Sequence, residues 1–153
     1  MAYAELHCVS NFTFLRGASH PQELVRTANA LGYSALAITD ECSLAGVVKA
    51  HVAAQDYGLQ LIVGSEFRLE GQRLIVLVSN RQSYAELSAL ITKARRRSSK
   101  GEYQLKWPDL SGNLPNSLLI WLPSGDLEPD HEVGERLSYW FKERLWIGVE
   151  HLL

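Results

Sequence analysis

Two consecutive stretches, SHPQELVRTANALGYSALAITD and SLAGVVKAHVAAQDYGLQLIVG, restrict the possible folds more than any other feature of the chain. Each reads as a helix, then a glycine, then a short, mostly apolar strand. Leu24, Val25, Ala28 and Leu31 make the apolar face of the first helix and Gly32 stops it. Ser19 or His20 can cap it, Pro21 suits its first turn, and Gln22 stands three residues after Ser19 as in a capping box. The second helix spans residues 44–56 and Gly58 closes it. The strand at 35–38 has no polar side to turn toward water, so both of its faces must be covered, and 59–63 reads as another buried strand. Strand, helix and strand in that order imply right-handed crossovers and parallel neighbours.

The rest of the chain continues the alternation. RLEGQRLIVLVS predicts a hairpin folded about Glu70-Gly71, between Phe67 and Val78. A helix is expected over 82–97, a strand over 117–122, a helix over 132–143 and a strand over 145–149; residues 98–116, rich in Gly, Pro, Asn and Ser, read as loop. The class is α/β with a mainly parallel sheet or barrel. At 153 residues, 46% hydrophobic and 21% charged, the chain has the composition of one globular domain and not of a disordered segment. A net charge of −2 gives no global attraction to nucleic acid or membrane. No secretory h-region or membrane-spanning run stands out, and two cysteines, Cys8 and Cys42, are too few for a disulfide framework, so a cytoplasmic protein is expected. A chain ending on a bare strand at GVEHLL suggests a unit cut before completion.

Ligands of parallel α/β folds collect at the carboxyl ends of the strands. Those ends carry His7 and Ser10, Asp40 and Glu41, Glu66, Asp126, and finally Glu150 and His151. Imidazole with carboxylates suits Zn, Mn or Fe; carboxylates alone suit Mg or Mn. The alternative is that Asp40 or Ser43 caps the next helix, as such residues do in strand-to-helix loops. The run KARRRSSK supplies Lys93, Arg95, Arg96, Arg97 and Lys100, which can meet a DNA backbone or merely complete a helix carboxyl end. Phe12 and Phe14 are expected to pack over the strand ends, and Trp140 and Trp146 to pack the last helix on its strand.

In order, ELHCVSNFTFLRGAS, ALGYSALAITDECSLAGVVKAH, GLQLIVGSEF and LIVLVSNRQSYAELSALIT resemble the amino-terminal PHP (polymerase and histidinol phosphatase) domain of bacterial C-family DNA polymerases, in the form found in their error-prone branch. The resemblance runs along the whole chain and is strongest over residues 4–93. It implies an irregular (β/α)7 barrel with a hairpin, here incomplete and truncated before closure, with residues 1–153 forming the first part of the domain. The family's first strand carries HxH and then Ser or Thr; here the match is His7, Cys8, Val9 and Ser10, with Val9 replacing the second histidine. The family's Asp-His pair corresponds to Asp40-Glu41, its GxE glutamate to Glu66, a hairpin histidine to Arg73 and a later cysteine to Asp126.

Val9 has no lone pair, and Arg73 is a permanent cation that repels a metal beside it. The resemblance with these departures implies a degenerate cluster of His7, Asp40, Glu41, Glu66, Arg73 and Asp126, in which Arg73 pairs with Glu66, Asp40 or Glu41. A weak Zn or Mn ion on His7, Asp40 and Glu66 is the second choice. For the whole polymerase the resemblance implies nucleotidyl transfer with Mg held outside this segment, in damage-tolerant synthesis and repair. Its implied partners are primer–template DNA, deoxynucleotides, the sliding clamp and translesion accessory proteins. The rival reading, a free-standing metal-dependent phosphoesterase, needs the ligand set that Val9 and Arg73 interrupt.

Overall fold

A computed structural model describes residues 3–150. The chain divides into two compact units, residues 1–65 and 66–153. No helix among the described residues is long and apolar enough to cross a membrane.

The first unit alternates β1 (Ala4–Cys8), α1 (Pro21–Ala30), β2 (Ala35–Ile38) and α2 (Val47–Tyr57), and enters β3 (Gln60–Leu69), which continues into the second unit. β2 pairs in parallel with β1 on one side and β3 on the other, and all four of its residues are buried. The unbroken apolar run thus has its expected cause. α2 presents Ala50, Ala53 and Ala54, at i, i+3 and i+4, to the core formed with Val25, Ala28, Leu36, Ile38 and Leu59. Alanine on that face lets α2 lie close to α1.

Several boundaries move. His20, not Ser19, is the residue before α1, and its N–H donates to Glu23 Oε2 at 2.7 Å, so the capping pair sits one residue later than expected. Leu31 follows the helix and is exposed. α2 starts at Val47 because the Ala45 N–H turns back onto Ser43 Oγ, 3.1 Å away. Phe14 is 83% exposed rather than packed over the strand ends, while Phe12 lies under the Lys49 ammonium, 5.5 Å from the ring centre.

In the second unit, the end of β3 turns at Glu70-Gly71, both at positive φ, into β4 (Gln72–Leu77). α3 (Arg81–Arg96), the single turn α4 (Trp107–Leu110), β5 (Leu118–Leu122), α5 (Leu127–Phe141), a 3-10 turn (Lys142–Arg144) and β6 (Leu145–Ile147) follow. β5 runs antiparallel to β4 and parallel to β6. The antiparallel β4–β5 pairing was not foreseen from the sequence. Asn80 caps α3 by accepting the Ser83 N–H at 2.9 Å. Glu86 ties α3 to the start of β5, accepting from the Asn116 N–H and side chain and from Ser117 Oγ. α5 begins at Leu127, five residues earlier than expected. Trp140 tilts against Trp107, with ring centres 6.3 Å apart, and Trp146 on β6 is 50% exposed.

The loop after α3 is held by Asp109, 2% exposed, which accepts from Lys93, both terminal guanidinium nitrogens of Arg97 and the Lys106 N–H. Burial pushes this carboxyl up, but the hydrogen bonds from Arg97, Lys93 and Lys106 and the Arg97 charge outweigh it and hold the group at about 2, against an ordinary 3.8. The folded value is the lower one. The stabilisation is therefore complete above pH 4 and is lost as pH falls through that interval. Because Lys93 and Arg97 face solvent, about 1–2 kcal/mol is expected. Urea unfolding of Asp109→Asn measured from pH 5 to pH 2 should show a correspondingly flatter stability profile than the native chain.

Candidate functional site

β1 and β2 end side by side, and the loops leaving them meet at Asp40. This carboxylate is 1% exposed. Its Oδ1 accepts the Ser10 N–H and the Thr13 hydroxyl, both at 2.7 Å, and Oδ2 accepts the Ser10 hydroxyl, also at 2.7 Å. Three short charge-assisted bonds consume most of the lone pairs a metal would need. The knot is closed on both sides. A Cβ on Gly46 would stand 2.9 Å from Asp40 Oδ2 and 3.2 Å from Ser10 Oγ, and a Cβ on Gly17 would stand 1.9 Å from Ser10 O. Ser65 Oγ on β3 donates to the Asp40 carbonyl at 2.7 Å, which fixes the same loop from below.

Glu41 points to a different partner: it pairs with Arg16 at 2.7 Å, and its N–H donates to Thr13 Oγ1 at 3.0 Å. His7 is half-buried on β1, where its N–H donates to Glu5 Oε1 at 2.9 Å. Val9, at the second histidine position, is half-buried too. Beside it, the Cys8 thiol is pushed up to about 11 by burial and by the Glu5 and Asp40 charges. Iodoacetamide should therefore modify Cys8 only slowly at pH 7–8, with the rate rising toward pH 11; mass spectrometry of a timed reaction reads this.

In the second unit, Glu66 on β3 is 0% exposed. Arg73, on β4 across the hairpin, places Nη2 3.4 Å from Glu66 Oε2, and Arg68 Nε lies 3.7 Å from Glu66 Oε1. The same Arg73 guanidinium binds Glu150 with both terminal nitrogens, at 2.7 and 3.1 Å. Glu150, noted in the sequence only as a strand end, is thus its nearest carboxylate. Those two carboxylates and the Glu150 bonds raise the Arg73 pKa against the opposing effect of burial. Asp126 is exposed ahead of α5. The loop there is instead organised by Asp130, which accepts from Ser124, from the Gly125 N–H and from Gln72. His151 lies outside the described residues.

Among the described residues, no group of three or more His, Cys, Asp or Glu side chains is placed to hold a metal ion. Asp40 is engaged by hydroxyl and N–H donors, and Glu66 by guanidinium groups. With their carboxylates so engaged, Asp40 and Glu66 do not fit a metal centre.

In the basic run, Lys93 and Arg97 serve Asp109. Arg95 donates to the carbonyls of Gly101 and Glu102 and lies over Tyr103. Arg96 and Lys100 are exposed. The run completes the end of α3 and fastens the loop after it.

Residues 5–119 match the PHP domain family, and the chain belongs to that family. Curated relatives give the likeness a narrower direction. Proteins named error-prone DNA polymerase from Saccharophagus degradans and Dechloromonas aromatica are 54% and 56% identical over 154 aligned residues, covering 100% and 97% of this chain. That of Methylococcus capsulatus is 54% identical over 99% of the chain. The chain spans about 15% of the length of these relatives. Two solved structures share the fold. A Bifidobacterium adolescentis protein assigned as a metal-dependent phosphoesterase has a TM-score of 0.61 at 15% identity, covering 90% of this chain and 74% of its own. An amidohydrolase from Chromobacterium violaceum has 0.62 at 16%, covering 94% and 74%.

Proposed function

We propose that this chain is the amino-terminal PHP region of an error-prone DNA-directed DNA polymerase of the cytoplasm, and that the region is a structural and docking module without hydrolytic chemistry of its own. The observation that carries this reading is identity above one half along essentially the whole chain to relatives of that name. The whole protein would add deoxynucleotides to primer–template DNA with Mg bound in its polymerase core, during damage-tolerant synthesis and repair. It would work with a sliding clamp and translesion accessory proteins. Within the PHP region, the Arg73 guanidinium beside buried Glu66 and, separately, the hydroxyl and N–H donors on Asp40 support a reading in which fixed donors stand in for metal charge.

Two assays test the proposal. The polymerase carrying this region should extend a primer past a template lesion with Mg²⁺ and the four deoxynucleotides. The chain by itself, given Mn²⁺ or Zn²⁺, should hydrolyse neither p-nitrophenyl phosphate nor a DNA 3′ end. Failure of extension would defeat the polymerase reading. Metal-dependent hydrolysis that disappears in His7→Ala would instead favour a phosphoesterase.

A further inference from the structure

A shallow groove of about 510 Å³ runs between the tip of the β3–β4 hairpin and residues 103–108, lined among others by Arg68, Glu70, Tyr103, Lys106, Trp107 and Pro108. Its aromatic rings are fixed at their polar ends. The Tyr103 hydroxyl accepts the Arg68 N–H at 2.8 Å, and Trp107 Nε1 donates to Glu70 Oε2 at 2.6 Å. Each ring also carries a guanidinium on a face: Arg95 lies 5.4 Å from the Tyr103 centre and Arg136 lies 4.8 Å from the Trp107 centre. Rings held this way lose little conformational freedom when something stacks beside them, and a guanidinium plane is itself a stacking surface.

Two cations, Arg68 and Lys106, stand in the lining against one carboxylate, Glu70. Lys106 is exposed, and Arg68, whose Nε lies 3.7 Å from Glu66 Oε1, keeps a side chain 52% exposed, so its terminal nitrogens can also reach a ligand. Glu70 keeps its charge while its Oε2 accepts the indole N–H, and Asp109 behind the groove is buried and neutralised by Lys93 and Arg97. In a chain of net charge −2, this is a local concentration of cations interleaved with aromatic planes. Cations spaced between planar rings suit a ligand that alternates anionic groups with flat ones, which is the chemistry of a single nucleic-acid strand.

We infer that this groove binds the backbone and bases of single-stranded nucleic acid, with Arg68 and Lys106 contacting phosphates and the Tyr103 and Trp107 platforms meeting bases. A duplex, whose bases are already stacked, would meet only the cations. Arg68 is shared with buried Glu66, 3.7 Å from its Nε, and Lys106, Tyr103 and Trp107 lie outside that pair.

The test uses the full chain and a labelled oligothymidylate of about 12 nucleotides, the length that such grooves accommodate. Fluorescence anisotropy at low salt should show binding that is weaker for a duplex of equal length. The logarithm of affinity should fall linearly with the logarithm of salt. Arg68→Glu with Lys106→Glu should weaken binding about tenfold or more and reduce the salt slope by about 1.4, the value for two lost phosphate contacts on a single strand. Tyr103→Leu should weaken binding while leaving that slope unchanged. No binding by the native chain, equal affinity for duplex, or displacement by polyglutamate at matched charge would each overturn the inference. These three readings need no variant to fold. Native affinity in a folded Arg68→Glu/Lys106→Glu chain would overturn it as well.

Discussion

Asp40→Ala should cost about 3–5 kcal/mol of folding stability, because three donors aimed at one carboxylate lose their acceptor together. Ser10 is 0% exposed and Thr13 4%, so water cannot replace the lost partner without opening the loop. The Ser10 N–H is the most costly of the three, since a backbone donor cannot rotate away as a hydroxyl can. Asp40→Asn retains an acceptor for that N–H and for Thr13 and should cost less, about 1–3 kcal/mol. Urea denaturation of the two variants, without any added metal, measures both numbers. Gly46 sits so close to Asp40 Oδ2 and Ser10 Oγ that Gly46→Ala should perturb the same knot from the opposite side. If Asp40→Ala stays within about 1 kcal/mol of the native chain, Asp40 is not the structural hub described here.

Arg73→Ala is the second change with a large expected effect. It leaves the fully buried Glu66 with Arg68, 3.7 Å away and half exposed, as its remaining described cation. Removing one partner of a buried pair strands the other charge, and a loss of about 3–5 kcal/mol is expected. The Arg73–Glu150 pair contributes little to this, since those side chains are 29% and 36% exposed and screened by water. Adding Glu66→Gln to the Arg73→Ala chain should therefore recover stability, because the neutral amide no longer requires a counter-charge. A double-mutant cycle read by thermal or urea unfolding isolates this coupling. A double variant less stable than Arg73→Ala would show that Glu66 is held by contacts other than its cations.

The helices and strands of the first unit were legible because their apolar periods differ: 3.6 in residues 21–30, a continuous run in 35–38. A tight turn with glycine at its second position marked the hairpin with equal clarity. Boundaries were misplaced where side chains decided them. Ser43 caps its own turn and delays α2 to Val47; Asp130 gathers the loop ahead of α5, which starts at Leu127 with Pro129 in its first turn. Asp126 drew attention through its place in a motif, yet the donors converge on Asp130, one helical turn later. No local signal marks which of two nearby acids faces a loop's N–H groups. The pairing of Arg73 with Glu150 spans 77 residues, and the antiparallel β4–β5 pairing depends on strand order; neither is encoded in any short window. The sequence places Arg73 across the hairpin from Glu66, which lies 3.4 Å from it, but gives no sign that Glu150 is nearer.

The most direct test of the account is the melting temperature of the native chain with Zn²⁺ or Mn²⁺ added, or with chelator. Fixed hydrogen bonds at Asp40 and guanidinium groups at Glu66 predict no metal-dependent shift. An ion bound only to the folded state at about a hundred times its Kd would contribute about 2.7 kcal/mol, visible as a rise of several degrees. Such a rise, if it vanished in Glu66→Ala or His7→Ala, would mean that the cluster still holds a metal and that Arg73 has not taken its place.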